Sequence, residues 1–380
     1  MQPSSNEFHL WAIKLILNMK KTSLLALALF CMACISLTIS SCRKASSDEQ
    51  QPQTGTNGNG NGNGNSDPMA TISGKVTTPN GTVVGYASVI AGTRSTHTNH
   101  LGEFSLVVPA STQSVTIQTG KGNIFKRQMP VSLTANQSFR FADSSCVLTQ
   151  VGQMLVIHGD YDAIEQIIFQ LGYTPAVLPN GPVPLSYLQQ FDAVFLNCTN
   201  YSYMSSPYYQ ALDTFVRGGG SIYASDWAVE YLTGNGTPSP GGSGDGKRNG
   251  HHPENSLSTC VSPLVGGFIE DSSLCTMKAG SVGLISSVHI YDAGMIGALG
   301  KDSIDIYYDL GSWEMINHLD APFVTTMEKT GYPGIVAAKA DMSLQYSGAG
   351  SIYYTTFHNH PQQQMSPDVM TLLQYFIMNL

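Results

Sequence analysis

The chain has 380 residues, of which 42% are hydrophobic and 12% charged, with a formal net charge of -8. That length suits two folded cores better than one, and so few charges imply a surface built on Ser, Thr, Asn, Gln and Gly, as suits a secreted protein. No long basic run is present, which excludes the electrostatic footprint of nucleic-acid binding.

Residues 1–42 read as a signal peptide with an N-terminal extension. From Met19, "MKKTSLLALALFCMACISLTISSC" has a short basic start at Lys20 and Lys21, an apolar stretch from Leu24 to Leu37, and small residues before Cys42. The ending Ile39-Ser40-Ser41-Cys42 resembles the lipobox of bacterial lipoproteins. That resemblance implies lipidation of Cys42 and an anchor in the bacterial cell envelope, expected at the outer membrane. Residues 43–68 carry a repeated Asn-Gly run and no apolar periodicity, so they are expected to form a flexible tether with a mean reach of ~25–30 Å. Of the seven cysteines, Cys31 and Cys34 fall in the signal. Cys260 and Cys275 are the disulfide candidate by proximity. The cysteines show no metal-type spacing, and no cofactor is expected.

Residues 69–148 alternate apolar and polar positions in short runs closed by Gly, Pro or Asn, which predicts a small all-β sandwich. Gly74-Lys75-Val76, Gly85-Tyr86-Ala87-Ser88-Val89, Thr98, Gly102-Glu103-Phe104-Ser105-Leu106 and Pro109 together resemble the carboxypeptidase regulatory-like domain, a transthyretin-like sandwich. That family is an accessory module without catalysis, and its likeness to starch-binding sandwiches keeps polysaccharide as a partner. Only Tyr86 and Phe104 could offer a sugar platform, and Phe104 reads as core. His97 and His100 read as solvated turn residues.

In residues 149–380 the period changes. "QMLVIHGD", "TPAVL", "FDAVFLNCTN" and "SIYAS" read as strands, separated by a helical pattern from Asp162 to Gly172 and a helix from about Pro207 to Val216. Strands alternating with helices predict an α/β domain with a mainly parallel sheet and a functional edge at the C-terminal strand ends. A helix "DWAVEYL" follows, then a glycine-rich insertion at 234–256. An added β region around Trp313 comes next, then the strands "FVTTMEK", "GIVAAKA" and "GSIYYTTF". A last helix is capped by Ser366, with Pro367 in its first turn.

The stretch "ALDTFVRGGGSIYASDW" resembles the class I glutamine amidotransferase-like fold, a flavodoxin-like layout, and especially its trehalose-utilisation relatives. The resemblance implies a nucleophilic cysteine at the elbow after "SIYAS", which here falls on Ser225 or Asp226, and a histidine at His358. No cysteine stands at the elbow, and Gln362 replaces the acid that follows the family's histidine. His252-Pro253-Glu254 has no strand before it and reads as coincidence. Cys198 ends the preceding strand and reads as a small buried hydrophobe.

The leading expectation is therefore a degenerate, non-catalytic domain, a pseudoenzyme, in an anchored protein that binds or assembles with polysaccharide or another envelope protein. The alternative is a metal-dependent or other hydrolase using Asp226 and His358, with Glu230, His158, Asp160 and His360 close to the same strand ends. A third reading is carbohydrate binding by Tyr201, Tyr203, Tyr208 and Tyr209.

Overall fold

The computed structural model describes residues 67–199, 206–233, 274–278, 280–311, 313–359 and 365–380. The signal and tether, Cys42, the insertion at 234–256, Tyr201, Tyr203, Cys260 and His360 lie outside the described residues, as do the side chains of Tyr208, Tyr209, Glu230 and Cys275.

The first eight strands are β1 (Met69–Lys75), β2 (Ser88–Ala91), β3 (Arg94–His97), β4 (Glu103–Pro109), β5 (Ser114–Gln118), β6 (Phe125–Pro130), β7 (Ser138–Arg140) and β8 (Thr149–Gln150). They form a β-sandwich of two sheets, ordered β4-β1-β7 and β3-β2-β5-β6-β8. Alternation does what the sequence predicts: along β1 every second residue is buried, and Phe104 points inward. Gly102 needs its missing side chain, because it sits at φ +76 and a Cβ there would lie 2.6 Å from the Val76 carbonyl oxygen.

The α/β domain adds β9 (Met154–Ile157), β10 (Ala176–Leu178), β11 (Ala193–Leu196), β12 (Ser221–Ser225), β13 (Leu274–Lys278), β14 (Gly283–Ile290), β15 (Ser303–Tyr308), β16 (Glu314–Leu319), β17 (Phe323–Lys329), β18 (Gly334–Asp341) and β19 (Ser351–Thr355). Nine of these form one sheet, ordered β10-β9-β11-β12-β19-β18-β17-β14-β15. The first five are parallel, and their chain order across the sheet is 2-1-3-4-5, the flavodoxin-like arrangement. The remaining four are antiparallel, so the sheet is mixed, and β13 pairs with β16 apart from it.

The parallel strands are covered on both faces, which explains their unbroken apolar runs. Met154, Val156, Phe195, Tyr223 and Tyr353 face one core, while Leu155, Ile157, Val194, Leu196, Ile222 and Tyr354 face the other. The first core does not stop at the α/β domain. It runs through the helices Ile164–Gln170 and Pro367–Asn379 into the sandwich residues Val89, Ile117 and Phe125, so the described residues form one compact unit. The rings of Phe125 and Tyr173 meet at 4.6 Å across that junction. The Asn80 amide donates to the Phe169 and Gln170 carbonyls, satisfying the end of the helix Ile164–Gln170 from outside.

Two further contacts secure the last elements. Ser366 caps the helix Pro367–Asn379, its Oγ accepting from the Val369 amide at 3.3 Å. Asp292 caps the helix Ala293–Leu299, accepting from the Met295 amide at 3.0 Å and from the Tyr375 hydroxyl at 3.2 Å, and it pairs with Lys339. Burial would raise the Asp292 carboxyl, but the Lys339 ammonium, the Met295 amide and the Tyr375 hydroxyl together hold it below the usual carboxylate value. Lys339→Met is therefore expected to cost about 3 kcal/mol at neutral pH, since it leaves a buried carboxylate without its cation. The depressed group contributes its stability above the unfolded carboxyl pKa of ~3.9 and loses it as pH falls through the lower folded value. Urea melts should accordingly show the wild-type advantage shrinking below about pH 4.

Candidate metal centre

The parallel register brings three strand ends level. Leu196 of β11 lies opposite Ala224 of β12, and Ser225 lies opposite Thr355 of β19. Cys198, Asp226 and His358 each follow their strand by one to three positions, at the edge where open α/β sheets place ligands. Their donor atoms all lie within 4.8 Å of one another. The Cys198 thiol donates to Asp226 Oδ2 at 3.4 Å, and His358 Nε2 stands 3.6 Å from the same oxygen.

Asp226 is the centre of this arrangement. It is fully buried and has φ 47, a left-handed conformation that Asp tolerates better than most residues but that is unusual outside glycine. The chain thus makes a sharp strand-to-helix elbow, where the sequence places it. Ser225 holds the cap position of the 3-10 turn Asp226–Ala228, with no side-chain cap bond, while Asp226 Oδ1 accepts from the distant Glu314 amide at 2.7 Å. The Tyr354 hydroxyl holds the Asp226 carbonyl at 3.0 Å.

A second buried acid braces the cluster. Asp162 Oδ2 accepts from the Ser225 hydroxyl at 2.5 Å and Oδ1 from the Asn359 amide at 3.1 Å. Asn359 also exchanges hydrogen bonds with Ala163, so the loop after β9 is tied to the residue that follows His358. Burial pushes the Asp162 carboxyl up, against the His358 imidazole and the Ser225 hydroxyl, which pull it down. Burial also pushes the Cys198 thiol well up, and the Asp226 charge adds to the effect. His358 goes up for the opposite balance: burial would lower it, but the Asp226 carboxylate beside it and the charge of Asp162 prevail.

The expectation of a non-catalytic pseudoenzyme is corrected by this cluster. The sequence alone set Cys198 aside as a small buried hydrophobe at the end of the strand before the elbow. In the fold β11, β12 and β19 are adjacent, so a residue just past each of them converges on one point. The signal was present in the flavodoxin-like layout, which fixes that adjacency. Asp162, Asn359 and Glu314 were missed because their partners are distant in sequence, and Glu165 because its link to the site runs through Asn197, 32 positions away.

Of the other candidates, Asp160 accepts from the Thr199 hydroxyl at 2.5 Å, and Thr199 is linked through Asn180 to the Tyr231 hydroxyl. His158 pairs with Glu165 at 3.2 Å. In the sandwich, Tyr86 is no open platform: its ring stacks on His97 at 4.2 Å and closes on Gly297.

No protein-family model and no curated protein matches the sequence. Among solved structures the chain has distant, low-identity likenesses. The mmIFT52 N-terminal domain is 10% identical, with TM-score 0.36, covering 59% of this chain and 96% of that one. A ThuA-like protein from Bacteroides uniformis is 10% identical, with TM-score 0.35, covering 59% and 88%. A β-galactosidase from Rahnella sp. R3 is 11% identical, with TM-score 0.32, covering 60% of this chain and 31% of that one. At these values the function rests on the site alone.

Proposed function

We propose that the α/β domain is a metal-dependent hydrolase in which Cys198, Asp226 and His358 hold a divalent ion of the zinc type. The observation that carries this is the meeting of a thiol, a carboxylate and an imidazole within 4.8 Å at the C-terminal strand ends. A thiolate, imidazole and carboxylate set suits zinc, and three protein ligands leave a position open for chemistry. The electrostatics favour the same reading. A thiol held up by burial and a neighbouring carboxylate is a poor free nucleophile, whereas a dication at that point would stabilise its ionised form. Bound there, the metal would supply Lewis acidity, polarising a substrate oxygen and easing deprotonation of water. The protein's own share is placement: Asp162, Ser225 and Asn359 fix the loop after β9 against the β19 end, and the Glu314 amide fixes Asp226.

Kinship with the class I glutamine amidotransferase-like and trehalose-utilisation-like proteins is supported by the elbow at Asp226 and the histidine at His358. A carboxypeptidase regulatory-like identity for the sandwich is supported by its strand pattern and Gly102. Attachment to the envelope is supported by the sequence ending at Cys42, and labelled fatty acid should fail to enter a Cys42→Ala protein. The full chain, extracted in detergent and carrying no histidine tag, is expected to contain about one equivalent of zinc or a similar transition metal by elemental analysis. Protein that contains none and takes up none on titration would end the metal reading.

A further inference from the structure

A second constellation lies beside the first. His158 follows β9, which neighbours β11, and Ile157 is in register with Leu196, so His158 is level with Asn197, the residue before Cys198. The connection is tight. Tyr161 donates its amide to the Cys198 carbonyl at 3.1 Å, and Gly159 lies so close that an added Cβ would be 2.3 Å from that oxygen. The loop carrying His158 is thus fastened to a proposed ligand on one side and, through Asp162 and Ala163, to Asn359 beside another.

The His158 side chain is 55% exposed, while that of Glu165 is only 10% exposed. His158 Nδ1 meets Glu165 Oε1 at 3.2 Å, and the other carboxylate oxygen accepts from Asn197 Nδ2 at 2.8 Å. Burying a carboxylate is costly unless its oxygens are satisfied, and here one of them is satisfied by an imidazole open to solvent. An ionised carboxylate only accepts, so the proton of the neutral ring belongs on Nδ1. Nε2, across the ring, is then left with its lone pair on the exposed side. A carboxylate that fixes the tautomer of a half-exposed imidazole beside the strand ends is the arrangement general acid–base chemistry requires.

We infer that His158, oriented by Glu165, is the proton-transfer group of this site. The inference rests on the hydrolase reading for the reaction it serves. As the oxygen of water bonds to the electrophilic atom of the substrate, Nε2 takes the water proton. As the bond to the leaving group breaks, the imidazolium returns that proton to the leaving atom, so water is consumed and no other reactant is needed. Glu165 touches neither water nor substrate in these steps and is a positioning residue.

The test uses the detergent-extracted full chain loaded with zinc. With histidine nitrogens labelled, long-range nitrogen–proton NMR should show the neutral His158 ring protonated on Nδ1, with the signal assigned by its loss in His158→Gln. Glu165→Gln should abolish the tautomer bias and Glu165→Asp should partly restore it. With p-nitrophenyl acetate as probe, His158→Gln should lower kcat about 100-fold or more while zinc content stays at the wild-type level. A ring protonated on Nε2 would overturn the inference, as would wild-type kcat in His158→Gln. Loss of zinc from His158→Gln would also overturn it, making His158 a ligand and leaving the metal reading intact. If the wild type does not cleave this ester, the tautomer alone decides. If Cys198→Ser retains zinc, the metal assignment fails, while the tautomer and the His158→Gln rate still judge His158.

Discussion

Asp226→Asn is expected to lower the affinity for zinc by more than about 100-fold while leaving the protein folded. Substitutions one step removed from a metal already cost about 10- to 100-fold, and Asp226 is the residue that both Cys198 and His358 approach. Asparagine keeps the shape, tolerates the left-handed backbone at φ 47, and its carbonyl can still accept from the Glu314 amide. The charge is removed, and the Oδ2 acceptor that faces Cys198 and His358 becomes an amide NH2. Asp226→Ala is the harsher form: it strands the buried Glu314 amide, at a cost of about 1–3 kcal/mol, and adds strain at the elbow. Competition with a chromophoric chelator measures the affinity and circular dichroism the fold. An Asp226→Asn protein that binds zinc as the wild type does would remove Asp226 from the ligand set.

Gly159→Ala is expected to destabilise the domain by about 2–3 kcal/mol or more and to weaken metal binding with it. A Cβ at this position would lie 2.3 Å from the Cys198 carbonyl oxygen and 2.7 Å from Asn197 Cβ, and none of these is the yielding tip of a long side chain. The loop would have to lift from β11, giving up the Tyr161 hydrogen bond and carrying Asp162 away from Ser225 and Asn359. A fall in Tm of roughly 5 °C is expected for a protein of this size. Gly311→Ala is the control, because nothing lies within 4 Å of its added Cβ. Equal melting of the two variants would mean that the β9 loop does not depend on this contact.

The parts of the fold legible in the sequence are those set by local pattern. The strand "SIYAS" is β12, "FVTTMEK" is β17, and the Ser366 cap with Pro367 opens the last helix. Elements with internally contradictory signals were not legible. β14 carries a bulge with Ser287 at φ 57, so its burial does not alternate cleanly. The helix Ala293–Leu299 has glycines at 294 and 297 that lower its propensity. Those glycines are explained only by what they touch, Tyr375 and Tyr86. The site divides in the same way. The elbow and His358 stand out through family spacing, whereas Cys198 gains its meaning from a partner 28 positions away and from a register that no local window contains.

The core shared between sandwich and α/β domain has a consequence for the order in which the molecule can be made. Gly120 donates its amide to Asn379 Oδ1 across 259 positions, and Lys121 reaches the Ala349 carbonyl across 228. During synthesis the sandwich emerges long before the last helix, which joins the same core. Residues such as Phe125, whose ring meets that of Tyr173, must wait, uncovered, for the later domain to arrive. Contacts of such separation close late and slowly, and apolar surface left open meanwhile invites chaperones or self-association. The last helix is therefore a latch on the first folded module, closed at Gly120 only after nearly all of the chain has been made.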